Sequence, residues 1–144
     1  MHEERAMALT CLYCDDVRLE SDGRSTLVGW YAQNALTHAG PFPITVLNLA
    51  VVLLLRVASM QTVQSLQLEL WLDDELRYSL TPTAEDLQAM WADALKASGQ
   101  SDAMTVRVVM KFPNLPIPKP GRLYFKAALD GDVTISNPLV IEQA

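Results

Sequence analysis

Apolar and polar residues alternate with a period of two along most of the chain, and turn dipeptides interrupt the alternation at short intervals. This patterning predicts a mainly β protein. The first strand is predicted over Ala8 to Glu20 and the second over Ser25 to Gln33, joined through Ser21-Asp22-Gly23-Arg24, where Asp-Gly is a strong hairpin signal. An even-length loop places Val17 and Leu19 on the same buried face as Val28 and Trp30, with Arg18 and Glu20 on the other. After Gly40-Pro41-Phe42-Pro43, the segment Leu47 to Val57 is apolar at both odd and even positions, as a central strand covered on both faces requires. Ser65 to Leu72 alternates again, and Asp73-Asp74-Glu75 turns it into Leu76 to Leu80 as a second hairpin.

One segment breaks the period. Between Thr83 and Ser98, Leu87, Met90, Trp91, Ala94 and Leu95 recur at helical spacing, predicting a single amphipathic helix. Thr83 is its expected N-cap, Glu85 and Asp86 favour its positive end, and Gly99 ends it. Its apolar stripe of Leu87, Met90, Trp91 and Leu95 is expected to pack on the sheets or on a second chain. Met104 to Phe112 resumes strand character, and the prolines 113, 116, 118 and 120 confine the next stretch to a loop or a sheet edge. Arg122 to Leu129 and Val133 to Ile135 flank Asp130-Gly131-Asp132. A loop made of all three residues pairs Leu129 with Val133, and Leu139 to Glu142 adds a last strand. The expected fold is therefore an antiparallel two-sheet β-sandwich of about eight strands with one helix, a single domain over residues 1–144.

Composition narrows the function classes. The chain is 50% hydrophobic and 19% charged, ordinary for a folded domain of 144 residues. Its longest uninterrupted apolar run, Leu49 to Leu55, falls far short of the ~20 residues of a membrane helix, so no membrane partner is expected. A formal charge of -6 argues against nucleic acid. Two cysteines are too few for a disulfide scaffold, and the opening Met1-His2-Glu3-Glu4-Arg5 lacks the order of a signal peptide, so the cytoplasm is the expected compartment.

Candidate chemistry is sparse. Cys11 and Cys14 have redox or zinc spacing, but on a strand residues three apart project to opposite faces, so both are expected to be reduced and unligated. No metal is expected, and no cofactor. Asp15 and Asp16 are unusual in mid-strand. Parity turns Asp15 inward, where the Trp30 indole or backbone amides would satisfy it, and sets Asp16 beside Arg18 as an ion pair. The functional alternative is a small polar or metal site built on Asp15, Asp16 and Arg18. The acidic turns at residues 73–75 and 130–132 are expected to be solvated tips, and His2 and His38 to lie in a terminus and a loop. Pro113-x-x-Pro116 is expected to be an internal connection rather than a polyproline ligand. No nucleophile-elbow, phosphate-loop, dinucleotide or zinc-protease motif occurs.

The stretch Tyr13-Cys14-Asp15-Asp16-Val17-Arg18-Leu19-Glu20, followed by Gly23-Arg24 and Leu27-Val28-Gly29-Trp30-Tyr31, resembles the opening of a family of small uncharacterised bacterial and phage-associated proteins, a domain of unknown function. The likeness extends to Pro41-Phe42-Pro43, Gly121-x-x-x-Phe125 and Asp130-Gly131, while the Trp91 helix has no counterpart in the pattern. The resemblance implies a compact β domain without established activity or catalytic residues. The expected function is a non-enzymatic binding or assembly module whose first partner is another copy of itself. The rival class is a small-molecule or metal-binding enzyme centred on Asp15, Asp16 and Arg18.

Overall fold

Apolar residues on both faces of the segment around Val51 demand cover from two directions, and the chain supplies it. The computed structural model describes residues 7–58, 62–99 and 101–144. In chain order its elements are β1 (Ala8–Cys14), β2 (Asp16–Leu19), β3 (Ser25–Val28), β4 (Ala35–His38), β5 (Ile44–Ala58), β6 (Leu66–Leu72), β7 (Glu75–Leu80), α1 (Ala84–Ser98), β8 (Ala103–Ile117), β9 (Gly121–Leu129), β10 (Asp132–Ile135) and β11 (Leu139–Gln143). β5 is the middle of a three-stranded antiparallel sheet, β1-β5-β8. Opposite it lies a six-stranded sheet, β4-β11-β9-β6-β7, with β10 also paired to β9.

Between the two sheets sits the main core. Leu9, Cys11 and Tyr13 of β1, Leu49 to Val57 at odd positions of β5, and Met104, Val106 and Met110 of β8 meet Leu66 to Leu72, Leu123 to Leu129, Leu139 and Ile141. Each of those sets recurs at every second residue, as period-2 burial dictates. The back of the three-stranded sheet forms a second, smaller core of Cys14, Val17, Ala50 and Val52, because the β2-β3 hairpin folds over it. That hairpin is why β5 is apolar on both faces.

The mainly β architecture with one helix agrees with the reading of the sequence, and several details correct it. Eleven strands form among the described residues rather than about eight, partly because the first predicted strand breaks at Asp15. The sheets are not wholly antiparallel, since β4 runs parallel to β11. The first hairpin pairs Leu19 with Ser25 and Val17 with Leu27, so its loop has odd length, with Gly23 at φ 88. Odd length reverses the parity: Val28 joins Asp16 on the outer side, and Val28 and Trp30 are exposed. The Asp130 turn errs the other way. Asp132 pairs with Leu129, leaving a two-residue Asp130-Gly131 loop at φ 48 and 90, both positive as a type I′ turn requires.

The helix is capped as expected, with Thr83 Oγ1 accepting from the Asp86 amide at 3.1 Å. Leu87 and Ala94 are buried and Met90 and Trp91 pack partly against the core, whereas Leu95 is exposed. β8 continues through Pro113 and Pro116 as the outer strand of its sheet, the edge alternative foreseen for that stretch. Near Asn114, at φ 55, the inward positions change parity on both β5 and β8, from Val46 to Leu49 and from Leu115 to Met110. No helix among the described residues is long and apolar enough to cross a membrane.

Candidate functional site

Where β1 ends, the chain leaves the three-stranded sheet to build the hairpin, and this departure places the acidic pair. The Asp15 amide donates to the Val28 carbonyl at 2.9 Å and the Tyr31 amide to the Tyr13 carbonyl at 2.8 Å, so Gly29 and Trp30 cross close over Asp15. Gly29 sits at φ 66, and a Cβ there would run into the Asp15 carboxylate. Glycine meets both demands at once. The Tyr31 hydroxyl donates to Asp15 Oδ1 at 3.2 Å.

Asp15 is therefore exposed and held by Tyr31, not buried against Trp30. Asp16 turns toward β8, where Lys111 Nζ lies 3.0 Å from its Oδ1, replacing the ion pair expected with Arg18. The Lys111 hydrogen bond holds the Asp16 carboxyl below its usual range, with Arg18 a smaller contributor. Burial pushes the Tyr31 hydroxyl up, helped by the Asp15 charge. Asp15, Asp16, Asn48, Leu49, Lys111, Phe112 and Pro113 line an open groove of about 450 Å³. Arg18 is not in its lining, although it shares the outer side of the hairpin with Asp16.

Two of the three candidate residues are thus brought together, and the sequence reading missed Lys111, Asn48 and Tyr31. Lys111 carried one available signal, a charged residue that alternates with the apolar residues Met110 and Phe112 in a strand. Asp16 and Lys111 neutralise each other across the groove, leaving Asp15 as its open carboxylate.

Cys11 and Cys14 are free thiols in the two separate cores, on opposite faces of β1. Burial pushes the Cys11 thiol up to about 11 and the Cys14 thiol above its usual value, the reverse of what a nucleophile or redox thiol needs. No group of at least three His, Cys, Asp or Glu side chains among the described residues could hold a metal ion. His38 lies in β4 rather than in a loop, its ring edge-on to Phe42, while His2 lies outside the described residues. The acidic turns are tied down rather than merely solvated: Asp73 Oδ1 accepts from the Arg122 amide, and Asp130 Oδ1 from the amides of Gln64 and Ser65.

No curated protein and no solved structure matches the chain. A family of unknown function, DUF6941, matches it over residues 9–142, which include every strand but the outermost residues of β1 and β11, and the chain belongs to that family.

Proposed function

We propose that the protein is a non-enzymatic β-sandwich module that binds or assembles with protein, in the first place with a second copy of itself. The observation that carries this reading is the distribution of exposed apolar side chains. Leu19, Val28 and Trp30 stand out on the small hairpin, and Leu76, Val133 and Ile135 on the six-stranded sheet. Those on the six-stranded sheet share its outer face, and apolar exposure gathered on one face marks an interaction surface. The proposal includes a reducing, cytoplasmic setting, supported by two buried thiols that face apart. The likeness of the opening residues to bacterial and phage-associated proteins supports a place within a larger assembly. Light scattering across micromolar to millimolar protein tests it: mass rising with concentration supports self-association, and an unchanging monomer mass refutes it.

A second reading, an enzyme binding a small molecule or metal around Asp15, Asp16 and Arg18, is favoured by the groove that the two carboxylates share and weakened by the position of Arg18 outside it. A divalent cation or amine that raises the melting temperature of the parent, but not of Asp15→Asn, would establish it in place of the first.

A further inference from the structure

We propose that the self-association surface is the outer face of the six-stranded sheet, with a second copy of this chain packed on it about a two-fold axis. This rests on the self-association reading above and assigns it a surface. Because Leu66 to Leu72 and Leu123 to Leu129 turn their alternate side chains into the core, the intervening residues must face outward. Register then sets them in rows. Trp71 lies beside Tyr124 on one side and Leu76 on the other, Lys126 lies between Glu69 and Ile135, and Ala128 lies beside Val133. The result is a patch in which two apolar groups, Trp71, Tyr124 and Leu76 on one side and Ala128, Val133 and Ile135 on the other, flank the pair of Glu69 and Lys126. Val133, Ile135 and Leu76 are respectively 59%, 58% and 49% exposed.

Its aromatic centre is already ordered. Lys126 Nζ lies 4.2 Å above the Trp71 ring, the Trp71 indole donates to Glu69 Oε1 at 3.4 Å, and the Tyr124 hydroxyl donates to the Asp73 carbonyl at 2.6 Å. Side chains pinned before contact lose little freedom on binding, which is the property of interface anchors. The hairpin offers no such patch: Leu19 and Val28 project from opposite faces of a two-stranded ribbon, and Trp30 lies beyond its end.

Charge complementarity selects a second copy as the occupant. Two chains of formal charge -6 repel, so they associate where the charged side chains of a strand face balance one another. The strand residues of this face balance, Arg122 and Lys126 against Glu69 and Glu142. Glu69 and Lys126 are direct cross-strand neighbours near the centre of the patch, so a two-fold operation can bring each against its opposite on the partner, as an isologous contact requires.

The test is sedimentation equilibrium of the full chain, alone and as the double variant Val133→Glu/Ile135→Glu, with thermal melts of both. Both side chains are exposed, so the melt of the diluted protein should be unchanged while the dimer dissociation constant rises by about a hundredfold or more. Leu76→Lys, on the opposite edge of the patch, should weaken the dimer by about tenfold and serves if the double variant fails to fold. A parent that dimerises while a folded Val133→Glu/Ile135→Glu dimerises equally well overturns this face and leaves the self-association reading intact. A parent that stays monomeric overturns both, and the face then belongs to some other partner.

Discussion

Asn137 offers a sharp test of how the two sheets are joined. In an antiparallel ladder, alternate residues of an edge strand turn their N–H and C=O away from the neighbouring strand. On β1, Cys11 does so, and both groups are taken by one side chain: Asn137 Oδ1 accepts from the Cys11 amide at 2.8 Å and Asn137 Nδ2 donates to the Cys11 carbonyl at 2.9 Å. The amide of Asn137 thus imitates a strand partner between β10 and β11. Replacing Asn137 by Ala strands two polar groups of a buried residue. At about 1–2 kcal/mol each, in the lower half of the usual range because Asn137 itself is only half-buried, the expected loss is about 2–4 kcal/mol. For a chain of this size that lowers the melting temperature by ~10 °C. Asn137→Asp is the discriminating companion. It keeps the acceptor for the Cys11 amide but sets a carboxylate against the Cys11 carbonyl, so at neutral pH it should be no more stable than Asn137→Ala. Crowding against the carbonyl raises the pKa of that carboxyl in the fold; the destabilisation is therefore present at high pH and relieved as pH falls through the raised value. Urea melts at pH 7 and pH 5 read both effects. An Asn137→Ala variant that unfolds within 0.5 kcal/mol of the parent, a margin on the order of an ordinary surface substitution, would refute this account of the β1 edge.

Gly23→Ala and Gly29→Ala place a side chain at similar positive φ, but a Cβ at Gly23 meets nothing while one at Gly29 meets the Asp15 carboxylate. Chemical denaturation should give about 1 kcal/mol for the first and clearly more for the second, with Asp15→Ala recovering part of the difference. Asp16 should titrate below an ordinary aspartate by NMR, and Lys111→Met should bring it back up. Because its folded pKa is depressed, the pair's contribution to stability is present above the unfolded value and lost as pH falls through the folded one. Neither Cys11 nor Cys14 should react with a thiol reagent at pH 8 until the protein unfolds, since burial raises both thiols; rapid labelling of the native chain would contradict the assigned cores.

Where burial is one-sided, the sequence was readable. The alternation of Leu66, Leu68, Leu70 and Leu72 against Gln67, Glu69 and Trp71 marks a strand with one core face, and the structure buries those leucines and no others of the segment. Helical spacing around Met90 and the Thr83 cap are similarly local. Loop length was not readable, because it differs by one residue between geometries that the same Asp-Gly dipeptide serves. At Gly23 only the glycine takes a positive φ, while at Asp130-Gly131 both residues do, and each choice reverses which partners face the core. The β4 to β11 pairing was hidden for another reason. Strands that meet in parallel from distant parts of the chain have no turn to announce them, and Ala35 to His38 is too short to carry a pattern.

The acidic pair shows how a one-residue break in a strand reaches the site. Along an unbroken strand, Asp15 would share the inward side with Val17, and Asp16 would face solvent beside Arg18. The strand instead breaks at Asp15, which leaves Val17 buried over the back of β5 and turns Asp16 toward Lys111. A carboxylate directed into a core would need several donors, whereas an exposed one needs few. Here the break lets Asp15 stay at the surface with a single phenolic donor, so the two aspartates, adjacent in sequence, have separate partners, Tyr31 in the connection after β3 and Lys111 on β8. The groove between them is therefore a consequence of folding the hairpin back over β5 and β8. Its polarity does not require a ligand to explain it, whereas the apolar outer face of the six-stranded sheet has no partner among the described residues that would account for the exposure of Val133 and Ile135.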